Sequence, residues 1–260
     1  MSKNSQAPKT VPDLETLRSL AREGKYDAAP VRIEMMSDIR TPIEVLKIFK
    51  NVSTHVLLLE SVAEQEKWGR YTFLGFDPKM SITCTDGRLQ TDGLSVETKN
   101  PSECLRSILG HYKSPRLEGM PPFTGGLVGY FSFDYLQYSE PSIKRDVQDT
   151  EAFQDMDLML FDKVICFDHL RQKILLIVNV SLKDVQTEYN RAVMELEKMR
   201  RLILFGEKKE EPGGHLTGEV KPLFDRESYC SMVEKGKNYI REGDIFQIVL
   251  SNRLEAPFEG

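Results

Sequence analysis

The chain has 260 residues, 40% of them hydrophobic and 29% charged, with a formal net charge of -5. That balance describes a globular chain long enough for one large core or two smaller ones, and it argues against nucleic acid or an anionic membrane as a partner. No stretch reaches transmembrane length, the polar start MSKNSQAPKT lacks a signal-peptide core, and the four scattered cysteines form no CxxC pair. The expectation is a cytoplasmic protein with reduced thiols and no zinc site.

The polar first ten residues read as loose. Pro12 to Ala21 carries Leu14, Leu17 and Leu20 at helical spacing, with Gly24 as a stop. Val31 to Met35 reads as a strand. Thr41-Pro42-x-Glu44 has the form of a helix start: Thr41 caps, Pro42 loses no hydrogen bond, and Glu44 stands at the capping-box position.

His55 to Asp77 is the stretch with the most chemistry. An apolar run, Val56 to Leu59, ends in Glu60 and Ser61. A charged connector containing the only tryptophan, Trp68, leads to Arg70 and a second run, Tyr71 to Phe76. Two strands joined this way bring Glu60, Ser61 and Arg70 to one sheet end. There they could bracket an amino acid or a small acid: Glu60 for an ammonium, Arg70 for a carboxylate, Ser61 as donor or acceptor. The same residues also read as an ordinary solvated loop.

Short strands follow at Met80 to Cys84, Arg88 to Gln90 and Leu94 to Glu97. Asp86-Gly87 and Asp92-Gly93 are the turn signals between them. Pro101 to His111 reads as a helix, and a Pro/Gly-rich link follows at 114–122. Phe123 to Leu136, FTGGLVGYFSFDYL, has neither GxGxxG spacing nor a Gly-Lys-Ser/Thr ending. It reads as a close-packed strand with a glycine bend, not a phosphate loop. Residues 137–154 read as a surface loop. Met156 to Asp168 and Lys173 to Val180 form the clearest hairpin, with Asp168 and His169 in its turn.

Asp184 to Phe205 repeats apolar residues at helical spacing. Residues 206–221 are a charged, Gly-rich linker, the best boundary in the chain. Asp225 caps a helix to about Glu242 with Tyr229, Met232, Val233 and Ile240 inward. Gly243-Asp244 breaks it, and Ile245 to Leu250 reads as a strand. An unpaired apolar strand so near the last residue suggests the front part of a longer protein, or a strand returning to the first sheet. No zinc-ligand cluster, serine-hydrolase elbow, Walker motif or dinucleotide fingerprint is present.

Four motifs in order, LLLES at 57–61, GRYTFLGFDP at 69–78, FTGGLVGYFSFDY at 123–135 and YIREGDIFQIVLSNR at 239–253, resemble anthranilate synthase component I. Aminodeoxychorismate synthase component I shares the later motifs. A stand-alone amino-acid-binding regulatory module is the non-enzyme alternative. The resemblance implies an α+β fold, antiparallel sheets with outer helices, as the front part of that family's β-sandwich. It also implies an N-terminal regulatory region at 1–205, a linker at 206–221, and the start of the chorismate-binding region at 222–260. The implied reaction takes chorismate and glutamine or ammonia to anthranilate and pyruvate. The implied partner is the glutamine amidotransferase subunit, component II. Magnesium is the implied cofactor, with ligands outside this chain, so no catalytic or metal residue is assigned and the chain alone is expected to be inactive. Tryptophan is the implied feedback ligand, at Glu60 and Ser61, with Arg70 and Tyr71 beside them.

Overall fold

A computed structural model describes residues 9–60, 69–140, 142 and 152–260. The loose first residues, Ser61, Trp68 with its connector, and much of the 137–154 loop lie outside the described residues. The chain divides into two compact units, Met1–Lys209 and Glu210–Gly260.

In the first unit the order begins α1 (Leu14–Glu23), β1 (Ala28–Met36), α2 (Pro42–Phe49), β2 (Val56–Leu59), β3 (Tyr71–Phe76), β4 (Met80–Thr85), β5 (Arg88–Thr91) and β6 (Leu94–Glu97). It continues α3 (Pro101–Gly110), β7 (Gly126–Phe131), a 3-10 turn at Phe133–Tyr138, β8 (Met156–Phe161), β9 (Lys163–Asp168), β10 (Lys173–Ser181) and α4 (Val185–Phe205). Two antiparallel five-stranded sheets result, ordered β1-β10-β9-β3-β2 and β6-β5-β4-β8-β7.

Local sequence accounts for most of these boundaries. Asp13 caps α1 through the Thr16 amide at 2.9 Å, and Gly24 ends it in the left-handed region. Thr41 and Glu44 close a full capping box at α2. Asp86 and Gly87 both have positive φ, the requirement of the two-residue turn joining β4 to β5.

Period-2 alternation divides the first sheet into two faces. Val31, Ile33, Leu74, Ile165, Phe167, Ile174, Leu176 and Val178 form one face, covered by Leu17 of α1, Val45, Ile48 and Phe49 of α2, and Ala192, Leu196 and Met199 of α4. Val164, Cys166, Leu175 and Ile177 form the other, where Tyr71, Phe73 and Phe123 pack. A smaller core, around Ile82, Cys84, Met156 and Leu158, belongs to the second sheet.

Three elements differ from the sequence reading. Met156 to Asp168 is not one strand: it breaks at Asp162, so β8 lies between β4 and β7 while β9 lies between β3 and β10. Two apolar runs feed the two sheets, and the Asp162-Lys163 pair between them marks the crossing. The Phe123–Leu136 strand is shorter, β7 followed by the 3-10 turn. Its close approach is real: a Cβ on Gly129 would lie 2.0 Å from the Asp157 carbonyl oxygen.

The third difference lies in the second unit. That unit holds β11 (His215–Leu216), β12 (Lys221–Pro222), α5 (Arg226–Glu242), β13 (Leu254–Glu255) and β14 (Phe258–Glu259), with β11 on β14 and β12 on β13. Ile245 to Leu250 forms no strand. A strand exists through its ladder, and among the described residues no partner pairs with this one. The segment runs back to α5 instead: Tyr229 Oη donates to the Leu250 carbonyl at 3.0 Å, and Ile248 lies against Gly236. Phe246 and Val249 are left exposed, as is Ile240, which the helical pattern placed inward.

Candidate functional site

The charged end of the first sheet holds Arg70 and Tyr71, two of the four sequence-read residues. Tyr71 opens β3, Asp168 closes β9 and Lys173 opens β10. The register sets Asp168 opposite both Tyr71 and Lys173. Glu34 lies near the end of β1 on the same face, two residues from Arg32. These strand ends and the 119–121 segment enclose a cavity of about 220 Å³ lined by Glu34, Arg70, Tyr71, Asp168, Arg171 and Lys173 among others.

Asp168 is its anchor. Its side chain is 3% exposed. Arg70 donates to it twice, Nε to Oδ1 at 3.0 Å and Nη2 to Oδ2 at 2.7 Å, and the Arg171 amide donates to Oδ1 at 3.1 Å. Burial pushes the Asp168 carboxyl up, but these hydrogen bonds and the two arginine charges outweigh it and hold the group below its ordinary value. Asp168 in turn raises the Arg70 pKa. The Arg70 guanidinium also lies 4.7 Å from the centre of the Tyr71 ring. Burial pushes the Tyr71 phenol up, while the Arg70 charge opposes the shift.

Glu34 is the second acid, held by Arg32 and Lys173. Burial pushes its carboxyl up, and the bonds from Lys173 and Arg32 bring it below the usual value. Behind the site, Thr72 Oγ1 and His169 Nε2 are 2.8 Å apart, and the His169 amide donates to the Arg70 carbonyl at 2.9 Å. The turn after β9 is therefore tied to the start of β3.

Arg70 and Tyr71 are thus together and at the cavity. Arg70 has committed its bidentate edge to Asp168, which leaves both Nη1 hydrogens and the second Nη2 hydrogen for any further acceptor. Glu60 is exposed, one residue beyond β2, at the same end of the sheet, and does not line the cavity. Ser61 lies outside the described residues. Sequence reading missed Asp168, Glu34, Arg171 and Lys173. It placed Asp168 in a turn, whereas Asp168 ends β9. Alternation was the available signal: Arg32 and Glu34 break a buried strand at every second position, a pattern that puts charge on one face.

An antiparallel α+β architecture with a charged cavity at a sheet end defines the structural class. The family follows from comparison. A family model described as chorismate binding enzyme matches residues 55–260, and the chain belongs to that family. Anthranilate synthase component 1 of Acetivibrio thermocellus is 33% identical over 255 residues, covering 94% of this chain and 51% of the relative. The protein of the same name from Acinetobacter calcoaceticus is 31% identical over 244 residues, covering 90% and 48%. The crystal structure of anthranilate synthase component I from Streptococcus pneumoniae TIGR4 matches with a TM-score of 0.55 at 24% identity, over 85% of this chain and 48% of that one, and shows the shared fold. The chain spans about half the length of the curated relatives it matches.

Proposed function

We propose that the chain is the N-terminal part of an anthranilate synthase component I, acting in tryptophan biosynthesis. The observation that carries this is the near end-to-end match of the chain to relatives of that name. The reaction balances as chorismate plus ammonia giving anthranilate, pyruvate and water, a lyase reaction in which the ring is aminated and the enolpyruvyl group leaves. Ammonia comes from glutamine through a component II amidotransferase partner. A cytoplasmic setting goes with this reading, and among the described residues no helix is long and apolar enough to cross a membrane.

Magnesium belongs to the reading as a cofactor of the longer protein. Among the described residues no three His, Cys, Asp or Glu side chains converge as a metal site, so the residues present do not fit the ion and no step is routed through it here. Chain 1–260 by itself is expected to make no anthranilate.

Tryptophan feedback belongs to the same reading, at Glu60, Ser61, Arg70 and Tyr71. The cavity at Tyr71 supports it in part: it supplies an aromatic wall and fixed charges of both signs, the chemistry that a zwitterion with an indole ring requires. The geometry gives Arg70 a narrower role, lying against Tyr71 and neutralising Asp168 while offering only its outer Nη1–Nη2 hydrogens to a ligand carboxylate.

The test is a product assay on the longest protein the reading frame encodes, given chorismate, magnesium and ammonium, with and without tryptophan. Fluorescent anthranilate that falls as tryptophan rises is the expected result. Aminodeoxychorismate as the product would overturn the assignment. Unchanged tryptophan inhibition in Ser61→Ala would remove Ser61 from the site.

A further inference from the structure

At the opposite end of the first sheet, two cavities of about 210 and 140 Å³ share a wall that includes Tyr112, Asp162 and Asn179. Asp162 is the residue at which the chain passes from the second sheet to the first. The larger cavity opens past Lys79 and Lys183, and the smaller runs in against Leu160 and the Gly125–Gly126 backbone.

Its polar groups are unusual in being left unmatched. The Asp162 carboxylate is half-buried, and among the described residues its one hydrogen bond is from its own backbone amide; no other donor and no ion pair reaches it. Burial raises its pKa against the opposing charges of Lys163, Lys79 and Arg191. Its backbone oxygen is occupied, accepting from the Asn179 amide at 2.8 Å and from Asn179 Nδ2 at 3.2 Å. Asn179 Nδ2 also donates to the Thr124 carbonyl at 2.6 Å, so the side-chain Oδ1 is the acceptor left over. The Lys79 ammonium stands 5.2 Å from the centre of the Tyr112 ring, and neither it nor Lys183 has a carboxylate partner among the described residues. Acid and base line one cavity without closing on each other. A half-buried carboxylate with no donor beyond its own amide is under-satisfied, and a ligand cation would stabilise it.

The balance of charge selects the ligand. Asp27 joins Asp162 on the acidic side, against Lys79 and Lys183, so the cavity is suited neither to a dianion nor to a dication. The second lobe is apolar and has no charged group besides Asp162. We propose that this two-lobed cavity binds a free α-amino acid with an apolar side chain. The ammonium meets the Asp162 carboxylate and Asn179 Oδ1, the carboxylate meets Lys79 and Lys183, and the side chain enters the lobe at Tyr112 and Leu160. This site is separate from the cavity at Tyr71 and does not depend on the chorismate reading.

The test is titration calorimetry of the 260-residue chain with L-phenylalanine, 3-phenylpropionate and phenethylamine. The first should bind saturably. The second lacks the ammonium and the third the carboxylate, and each should bind about tenfold or more weakly. Asp162→Asn and Lys79→Met should each weaken phenylalanine to a similar degree. If Asp162→Asn does not fold, Lys79→Met decides, because Lys79 is exposed and its loss leaves the core intact. Absence of saturable phenylalanine binding, equal binding by the folded variants, or phenethylamine binding as tightly as phenylalanine would each overturn the proposal.

Discussion

Replacing Asp168 by Asn removes the charge from the centre of the Tyr71 cavity with almost no change in volume. In the native chain this carboxylate is 3% exposed and accepts three N–H bonds, at 2.7, 3.0 and 3.1 Å. An amide has one oxygen, so one Arg70 donor would face an NH₂ group instead. Loss of a charge-assisted bond costs about 1.5–3 kcal/mol. Breaking a fully buried pair costs about 3–5 kcal/mol. Arg70 is 28% exposed, so water partly recovers its charge, and the expected loss stays within the first range at about 2–3 kcal/mol. The assay is urea unfolding followed by far-ultraviolet circular dichroism. The sign with pH is fixed by the lowered carboxyl pKa. A group whose folded pKa lies below its unfolded value of about 3.9 stabilises fully above that value, and the contribution disappears as pH falls through the folded pKa. The gap between native chain and variant should therefore be full near about pH 7 and close below about pH 4. A double-mutant cycle with Arg70→Met isolates the pair. A loss under about 0.5 kcal/mol at neutral pH, or a coupling energy near zero, would refute the view that this pair anchors the sheet end.

Other changes test the supports around the site. Thr41→Ala should lower stability by about 1 kcal/mol in the same unfolding assay, through loss of the cap on α2. The Thr41 amide hydrogen bond and Lys208 hold the Glu44 carboxyl at about 2, so carbon-13 carboxyl titration should place its midpoint well below that of a free glutamate; Thr41→Ala keeps the amide and removes only the hydroxyl bond, so it should raise the midpoint slightly, and Lys208→Met should raise it more. Tyr138 Oη donates to Asp155 at 2.7 Å and accepts from the Gly87 amide at 2.6 Å, so Tyr138→Phe should cost about 1–3 kcal/mol in that assay. Burial and Asp155 push the Tyr138 phenol up, and ultraviolet titration of the native chain should show one tyrosine ionising only with unfolding. Gly129→Ala should be the most damaging single methyl. Its Cβ would meet the Asp157 carbonyl, the β7–β8 pair would have to part, and soluble folded yield should fall sharply.

Helix caps and two-residue turns were legible because their chemistry is local. Thr41 and Asp225 each act within three residues of themselves, and Asp86-Gly87 forms its turn without help from elsewhere. The strands β2 and β3 were equally plain, since each is an apolar run with abrupt polar ends. The sheet crossing at Asp162 was missed although Asp162-Lys163 interrupts the apolar run, because a charged pair between two buried segments does not say which sheet each one joins. Ile245 to Leu250 failed for the opposite reason: its composition favours a strand, but a ladder partner is a property of another segment. At the candidate site, Arg70 was read from its place at a strand start and Tyr71 from the family resemblance. Asp168 was missed because its partner lies 98 residues away, a distance over which a single sequence carries no pairing signal.

The two cavities stand at opposite ends of the same strands, and that follows from topology more than from either site's own residues. β9 enters the first sheet at Lys163, just after Asp162, and leaves it at Asp168. Its six residues span about 20 Å. Val164 to Phe167 are all buried, flanked by β3 and β10, so the strand is the most enclosed part of the sheet. A polar residue cannot be held within such a segment without a partner, and it can be held at its ends, where backbone turns and solvent begin. Both acids that the fold buries along this strand are accordingly terminal. Asp168 is satisfied by Arg70 and Arg171, and its cavity is already ordered by protein charge. Asp162 has only its own backbone amide as a donor among the described residues, and its cavity is the one proposed to take a ligand.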